Sequence, residues 1–116
     1  MSTHLAIGRY GEEIAAKWLL ENGFTILFNN WRHGRKEIDL IASKKGTLHI
    51  IEVKTRRGNN FGPPEYQVNH RKLKYLQDAA SAFLEENPQW RKIQFDIISV
   101  VLEPNKLLID YFEDIS

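Results

Sequence analysis

Positions Ile7, Gly11, Ile14 and Trp18 recur at three- and four-residue spacing, so the segment from about His4 to Asn22 reads as a helix, with Gly23 placed to end it. "FTILFNNWR" then alternates Phe24, Ile26 and Phe28 on one side, as a strand does, and is expected to close in a turn at Asn29-Asn30. Two more strand-like runs follow in "EIDLIASKKGTLHIIEVKTR", separated by a short polar segment that makes them an antiparallel hairpin. "RRGNNFGPP" breaks both helix and strand and is expected to be an exposed, mobile loop. A second helical stripe, Leu73, Leu76, Ala80 and Phe83, runs in the segment Val68 to Asn87 and stops at Asn87-Pro88. "IQFDIISVVL" and "LLIDYF" read as two final strands around the turn "EPNK". The order α-β-β-β-α-β-β predicts one α/β domain over residues 1–116, a mixed five-stranded sheet flanked by helices.

The hairpin is the most informative stretch. With Lys45-Gly46 at the turn centre, Ser43 faces Leu48, Ile41 faces Ile50, Asp39 faces Glu52 and Glu37 faces Lys54. Directly opposed residues share a sheet face, so Glu37, Asp39, Ile41, Ile50, Glu52 and Lys54 fall on one side. Ile38, Leu40, Ala42, His49, Ile51 and Val53 fall on the other, which is the expected core face. Two carboxylates opposed on adjacent strands, with Cβ atoms about 5 Å apart, repel each other. Relief can come from a raised pKa on one acid, from Lys54 or an arginine, or from a divalent cation, for which carboxylate and carbonyl oxygens make the hard site that Mg²⁺ prefers. A surface ion-pair cluster is the bland alternative.

Composition narrows these options. The 116 residues suit one domain and one site, and no apolar run approaches the roughly 18 residues that span a bilayer. No secretory signal pattern opens the chain and there is no cysteine, so a reducing cytoplasm is the expected location and no membrane partner is expected. The four histidines lack zinc-motif spacing. The formal charge of +1 conceals an asymmetry: Lys54 to Lys74 carries six basic residues against the single acid Glu65, whereas Glu103 to Ser116 carries four acids against Lys106. A polyanion would meet the middle of the chain, although a solvated basic face has the same composition.

Asp39, twelve intervening residues, then Glu52-Val53-Lys54 resembles the PD-(D/E)xK motif of the restriction-endonuclease-like nucleases. Together with "GRYGEEIAAKWLLENGF", "NNWR", "EIDLIA", "IIEVKTR", "FG" and its following "V…RK", and "FDIISV", nearly the whole chain resembles the uncharacterised bacterial YraN-type family of that superfamily. It is also similar to archaeal Holliday-junction resolvases and tRNA-endonuclease-like domains. Ile38 stands where the motif name has Pro.

The resemblance implies a nuclease-like core with catalytic Asp39, Glu52, Lys54 and Glu12, the last matching a first-helix glutamate of the resolvases. Glu12 also suits a helix acid favoured by the dipole, and Glu13 reads as surface. Mg²⁺ or Mn²⁺ is the implied cofactor, held by Asp39, Glu52, the Val53 carbonyl and Glu12. Lys54 would position water or neutralise charge, or pair with Glu37. Nucleic acid, DNA before RNA, is the implied partner. Its expected contacts are Arg56, Arg57, Arg71, Lys72 and Lys74, with Lys72 at the family's "V…K" position. Phe61 is expected to anchor the loop on the body or stack on a base, and Gln67 resembles a helical glutamine near some superfamily sites. A homodimer is a reasonable expectation for cutting both strands. Trp18, Trp31, Trp90, Tyr75, Phe83 and Phe95 read as core or sheet edge, and Asp96 as a structural acid paired with Arg32 or Arg91. Besides the nuclease, the residues admit a non-catalytic nucleic-acid-binding module, or a protein-interaction domain whose acids form only an ion-pair network.

Overall fold

The computed structural model describes residues 3–58 and 70–116. Among them the elements run α1 (Thr3–Glu21), β1 (Thr25–His33), β2 (Lys36–Lys44), β3 (Thr47–Arg57), α2 (His70–Glu86), β4 (Lys92–Glu103) and β5 (Lys106–Phe112), the order expected from the sequence. Phe61, Gln67 and most of the expected loop lie outside the described residues.

The five strands form one sheet in chain order, antiparallel except where β3 and β4 run parallel on either side of the α2 connection. α1 lays Ala15 and Leu19 on Leu40, Ala42, Ile51, Ile98 and Val100. On the opposite face α2 lays Ala79, Ala80 and Phe83 on Ile38, Ile41, Leu48 and Ile50. Both faces of the central strands are therefore core, a correction to the single core face expected from the hairpin. A parallel crossover places a helix against the sheet face that a lone hairpin would leave wet.

β1 departs from expectation in a second way. Asn29 and Asn30 make no turn; the strand runs through them to His33, and the reversal is at Gly34, whose φ is 62°. The irregularity appears instead as a register shift between Ile26 and Phe28 and a left-handed φ of 52° at Asn30. Asparagine tolerates that conformation, so the feature that suggested a turn serves an irregular strand. The shift lets Ile26 pack on the α1 side while Leu27 and Trp31 pack on the α2 side.

Gly11 lies on the stripe of α1 because the helix touches the sheet there. A Cβ at this position would sit 1.9 Å from the Thr55 hydroxyl oxygen on β3. A glycine inside a helix costs roughly 1 kcal/mol, here offset by the close approach of α1 to β3.

Asp96 on β4 is fully buried, and its partners are neither Arg32 nor Arg91. It accepts from His49 Nδ1 (2.6 Å), Gln94 Nε2 (2.9 Å), the Asp114 backbone N–H (2.9 Å) and the Tyr111 hydroxyl. These groups lie on β3, β4, β5 and the C-terminal segment, so one carboxylate ties four pieces of chain together. Burial and the bond to Asp96 raise the Tyr111 pKa and keep the hydroxyl protonated. Arg32 lies instead 3.7 Å from Glu37.

Two stability outcomes follow from this packing. Asp96→Ala strands buried donors and is expected to lose about 3–5 kcal/mol in urea unfolding, with Tyr111→Phe losing about 1–2 kcal/mol. Gly11→Ala, despite its better helix propensity, is expected to lose about 1–3 kcal/mol in the same assay, because α1 must lift from Thr55.

Candidate active site

The β2–β3 ladder that begins at the Lys45-Gly46 turn follows the expected register from Lys44–Thr47 to Leu40–Ile51 and ends there. The next residue on β2, Asp39, turns its side chain toward β3, and its Oδ2 accepts from the Val53 backbone N–H at 2.8 Å. The expected direct pairs Asp39–Glu52 and Glu37–Lys54 are therefore not ladder pairs. A side-chain oxygen has replaced a backbone acceptor, and the strands part where two opposed carboxylates would have repelled each other. The Glu37 side chain pairs with Arg32 on β1, not with Lys54; its N–H donates to the Tyr75 hydroxyl (2.7 Å), and Tyr75 in turn donates to the Arg35 carbonyl (3.3 Å). Tyr75 thus fastens α2 to the β1–β2 turn.

Glu52 is buried on β3. Its Oε1 lies 2.7 Å from Lys72 Nζ, and its Oε2 lies 3.6 Å from Lys54 Nζ. Oε2 is buried with no hydrogen-bond partner among the described residues. Such an oxygen is costly unless a cation or donor completes it. Lys72, expected to contact phosphate, is part of the acid cluster in the protein by itself, and its ammonium also stands 4.9 Å from the Tyr75 ring. Burial alone would lower the Lys72 pKa; the hydrogen bond to Glu52 and the charges of Glu52 and Asp39 outweigh it and raise the pKa.

Burial is the main force on Asp39, pushing its pKa up to about 6. The Val53 N–H opposes this rise, the charges of Glu12 and Glu52 add to it, and Lys72 again opposes it. At the fork between β2 and β3, then, a glutamate from α1 and a lysine from α2 act on one carboxylate. Gly11 helps by bringing α1 down on β3 one residue before Glu12. Asp39, Glu52, Lys54 and Glu12 are thus brought to one region, as the sequence suggested. Among the described residues, however, no three acids or histidines form a ready-made metal-binding group.

The remaining basic residues are spread more widely. Arg56 is half-buried near the end of β3, while Arg57 and Arg71 are exposed. Lys74 is exposed and paired with Asp78 at 3.0 Å, one turn along α2. Two contributors were missed by sequence reasoning. Gly11 carried a signal, an interior helix glycine on the buried stripe; Tyr75 carried none beyond its place on α2.

The raised pKa of Asp39 fixes the sign of a pH effect. The folded state holds the Asp39 proton more tightly than the unfolded chain, whose value is near 3.8. This contribution to stability is present below about 3.8 and is lost as pH rises to about 6. The substitution Asp39→Asn still offers an oxygen to the Val53 N–H but carries no charge. It is therefore expected to flatten the pH dependence between 4 and 6 and to be more stable than wild type at pH 7.5, by roughly 2–3 kcal/mol at 1.4 kcal/mol per pKa unit. Thermal unfolding across that range checks this, and an unchanged slope would refute it.

Comparison with known proteins agrees with the motifs. Residues 11–100 match the family described as Uncharacterised protein family UPF0102. A UPF0102 protein of Flavobacterium psychrophilum is 38% identical over 114 residues, 98% of this chain and 96% of the relative. One from Phocaeicola vulgatus is 36% identical over 114 residues, covering 98% and 94%. One from Nocardia farcinica is 39% identical over 110 residues, covering 93% and 87%. On these matches, which span almost the whole of each protein, the chain belongs to the UPF0102 family, the YraN-type family that its motifs resemble.

Proposed function

We propose that the protein is a divalent-metal-dependent nuclease with a restriction-endonuclease-like core, hydrolysing phosphodiester bonds in DNA, branched or recombination intermediates included. The observation that carries this reading is the fork itself. Asp39 holds the Val53 N–H where the β2–β3 ladder stops, beside the buried Glu52 with its uncompleted Oε2 and the nearby Lys54 ammonium. No helix of the described residues is long and apolar enough to cross a membrane.

The donors suit Mg²⁺ or Mn²⁺: carboxylates of Asp39 and Glu52, the Val53 carbonyl, and Glu12 directly or through water. When bound, the ion supplies a water of lowered pKa and polarises a phosphoryl oxygen. The chain does the rest. Burial of Asp39 and Glu52 keeps the carboxylates in a low-dielectric setting where their charge acts strongly. Lys54 shares Glu52's strand and face, and serves to orient the attacking water or neutralise charge on the phosphate. Lys72 holds a second positive charge against Glu52, and Arg56, Arg57, Arg71 and Lys74 supply backbone contacts further out.

One observation favours a second reading. The Lys72 ammonium at 2.7 Å already compensates Glu52, which is what a non-catalytic nucleic-acid-binding module would need from the same fold. Calorimetric titration with Mn²⁺, for wild type and Asp39→Asn, followed by cleavage assays on single-stranded, duplex and branched DNA and on RNA, separates the two. The nuclease is expected to bind Mn²⁺ through Asp39. Its cleavage should fall at least about 10²-fold in Asp39→Asn, Glu52→Gln and Lys54→Ala. Nucleic-acid binding that persists with no metal uptake, with or without a non-cleavable duplex, selects the binding module.

A further inference from the structure

The two outer strands of the sheet differ. β1 is broken by the register shift at Ile26/Phe28 and by the left-handed Asn30, irregularities that blunt an edge against pairing. β5 has neither: from Lys106 to Phe112 it pairs in unbroken register with β4. Among the described residues no strand pairs with its other side. It also carries Leu107 and Leu108, which are 45% and 40% exposed.

We infer that this edge is the docking surface for a second copy of the chain, with β5 pairing antiparallel to β5 of the partner about a two-fold axis through Leu108. The register follows from the hairpin. Pro104 and Asn105 form a two-residue turn, so Glu103 and Lys106 close it as a hydrogen-bonded pair. Lys106, Leu108 and Asp110 then bond inward to β4, and Leu107, Ile109 and Tyr111 turn their N–H and C=O outward. An axis at Leu108 sets Leu107 opposite the partner's Ile109, so the outward groups of both residues meet. The closer, non-hydrogen-bonded positions set Leu108 opposite the partner's Leu108 and Lys106 opposite the partner's Asp110.

That last pairing occurs twice by symmetry and selects the register. Neither Lys106 nor Asp110 has an ion-pair partner in its own chain among the described residues. Shifting the axis to Ile109 would place Leu108 against Asp110 and Lys106 against Phe112, losing both charge pairs. Because opposed residues share a sheet face, the dimer carries the Glu52-bearing faces of both copies on one side of a continuous sheet. The inference rests on β5 alone and stands whether or not the site at Asp39 is catalytic.

The test is sedimentation velocity over a range of concentrations for wild type, Lys106→Asp, Asp110→Lys and the double exchange Lys106→Asp/Asp110→Lys, with circular dichroism as a folding control. Wild type is expected as a dimer. Each single reversal turns two attractive pairs into two like-charge pairs and should raise the dissociation constant roughly ten-fold or more, and the double exchange should restore it. The chain has no cysteine, which permits an independent readout. Leu108→Cys should form a disulfide-linked dimer under mild oxidation, since non-hydrogen-bonded partners lie about 4.5 Å apart at Cα. Leu107→Cys, displaced by two residues from its own symmetry mate, should not. A wild-type monomer at every concentration, or a dimer indifferent to both reversals with no cross-link at position 108, overturns the inference.

Discussion

One hydrogen bond organises the centre of this protein, the 2.8 Å contact from the Val53 N–H to the Asp39 carboxylate. A backbone donor in a sheet needs an acceptor, and ordinarily the neighbouring strand supplies it. Here a side chain supplies it, so the ladder between β2 and β3 can end without stranding a buried N–H. The opening that results is where Glu52 is held and where charges from both helices converge. If the ladder had simply continued, Asp39 and Glu52 would have stood opposed on one face and repelled each other. The fork replaces an unfavourable pairing with a side-chain-to-backbone hydrogen bond beside the buried Glu52.

Two buried acids on neighbouring strands show how differently the fold treats a carboxylate. Asp96 receives four donors drawn from separate parts of the chain, and its role is to hold those parts together. Glu52 has Lys72 on one oxygen and an incomplete shell on the other, while Asp39 is held by one backbone donor and raised in pKa by its surroundings. A saturated buried acid is structural. An unsaturated one keeps coordinating capacity in reserve at some expense in stability, the usual mark of a site placed under functional demand. The nuclease reading takes its support from this asymmetry as well as from the motif.

The helices matter as much as the hairpin. α1 approaches β3 closely because Gly11 has no side chain to hold it off Thr55, and that approach carries Glu12 toward Asp39. On the other face α2 brings Lys72 to Glu52 and is fastened by Tyr75 to the β1–β2 turn. A sheet covered on both faces buries the middle of its central strands, so a charge there, such as Glu52, must be compensated locally. Glu52 consequently meets two lysine ammonium groups, Lys72 at 2.7 Å and Lys54 at 3.6 Å, while Asp39 takes the Val53 N–H.

The element order, the hairpin register near its turn and the grouping of Asp39, Glu52 and Glu12 were legible in the sequence because each depends on local periodicity or on the spacing of a recognised motif. Periodicity states which residues share a face; it does not state what covers that face. The sequence alone therefore could not show that α2 would make Ile41 and Ile50 core, that Asn30 would bend a strand and not end it, or that Asp96 would bind His49 and Tyr111 in preference to an arginine. Nor could it show that Lys72 would point inward. Those outcomes depend on contacts between residues far apart along the chain, where burial, competing hydrogen-bond donors and the geometry of a parallel crossover outweigh local preference. The residue types capable of the chemistry were set by sequence; their convergence at a fork in the sheet was decided by tertiary packing.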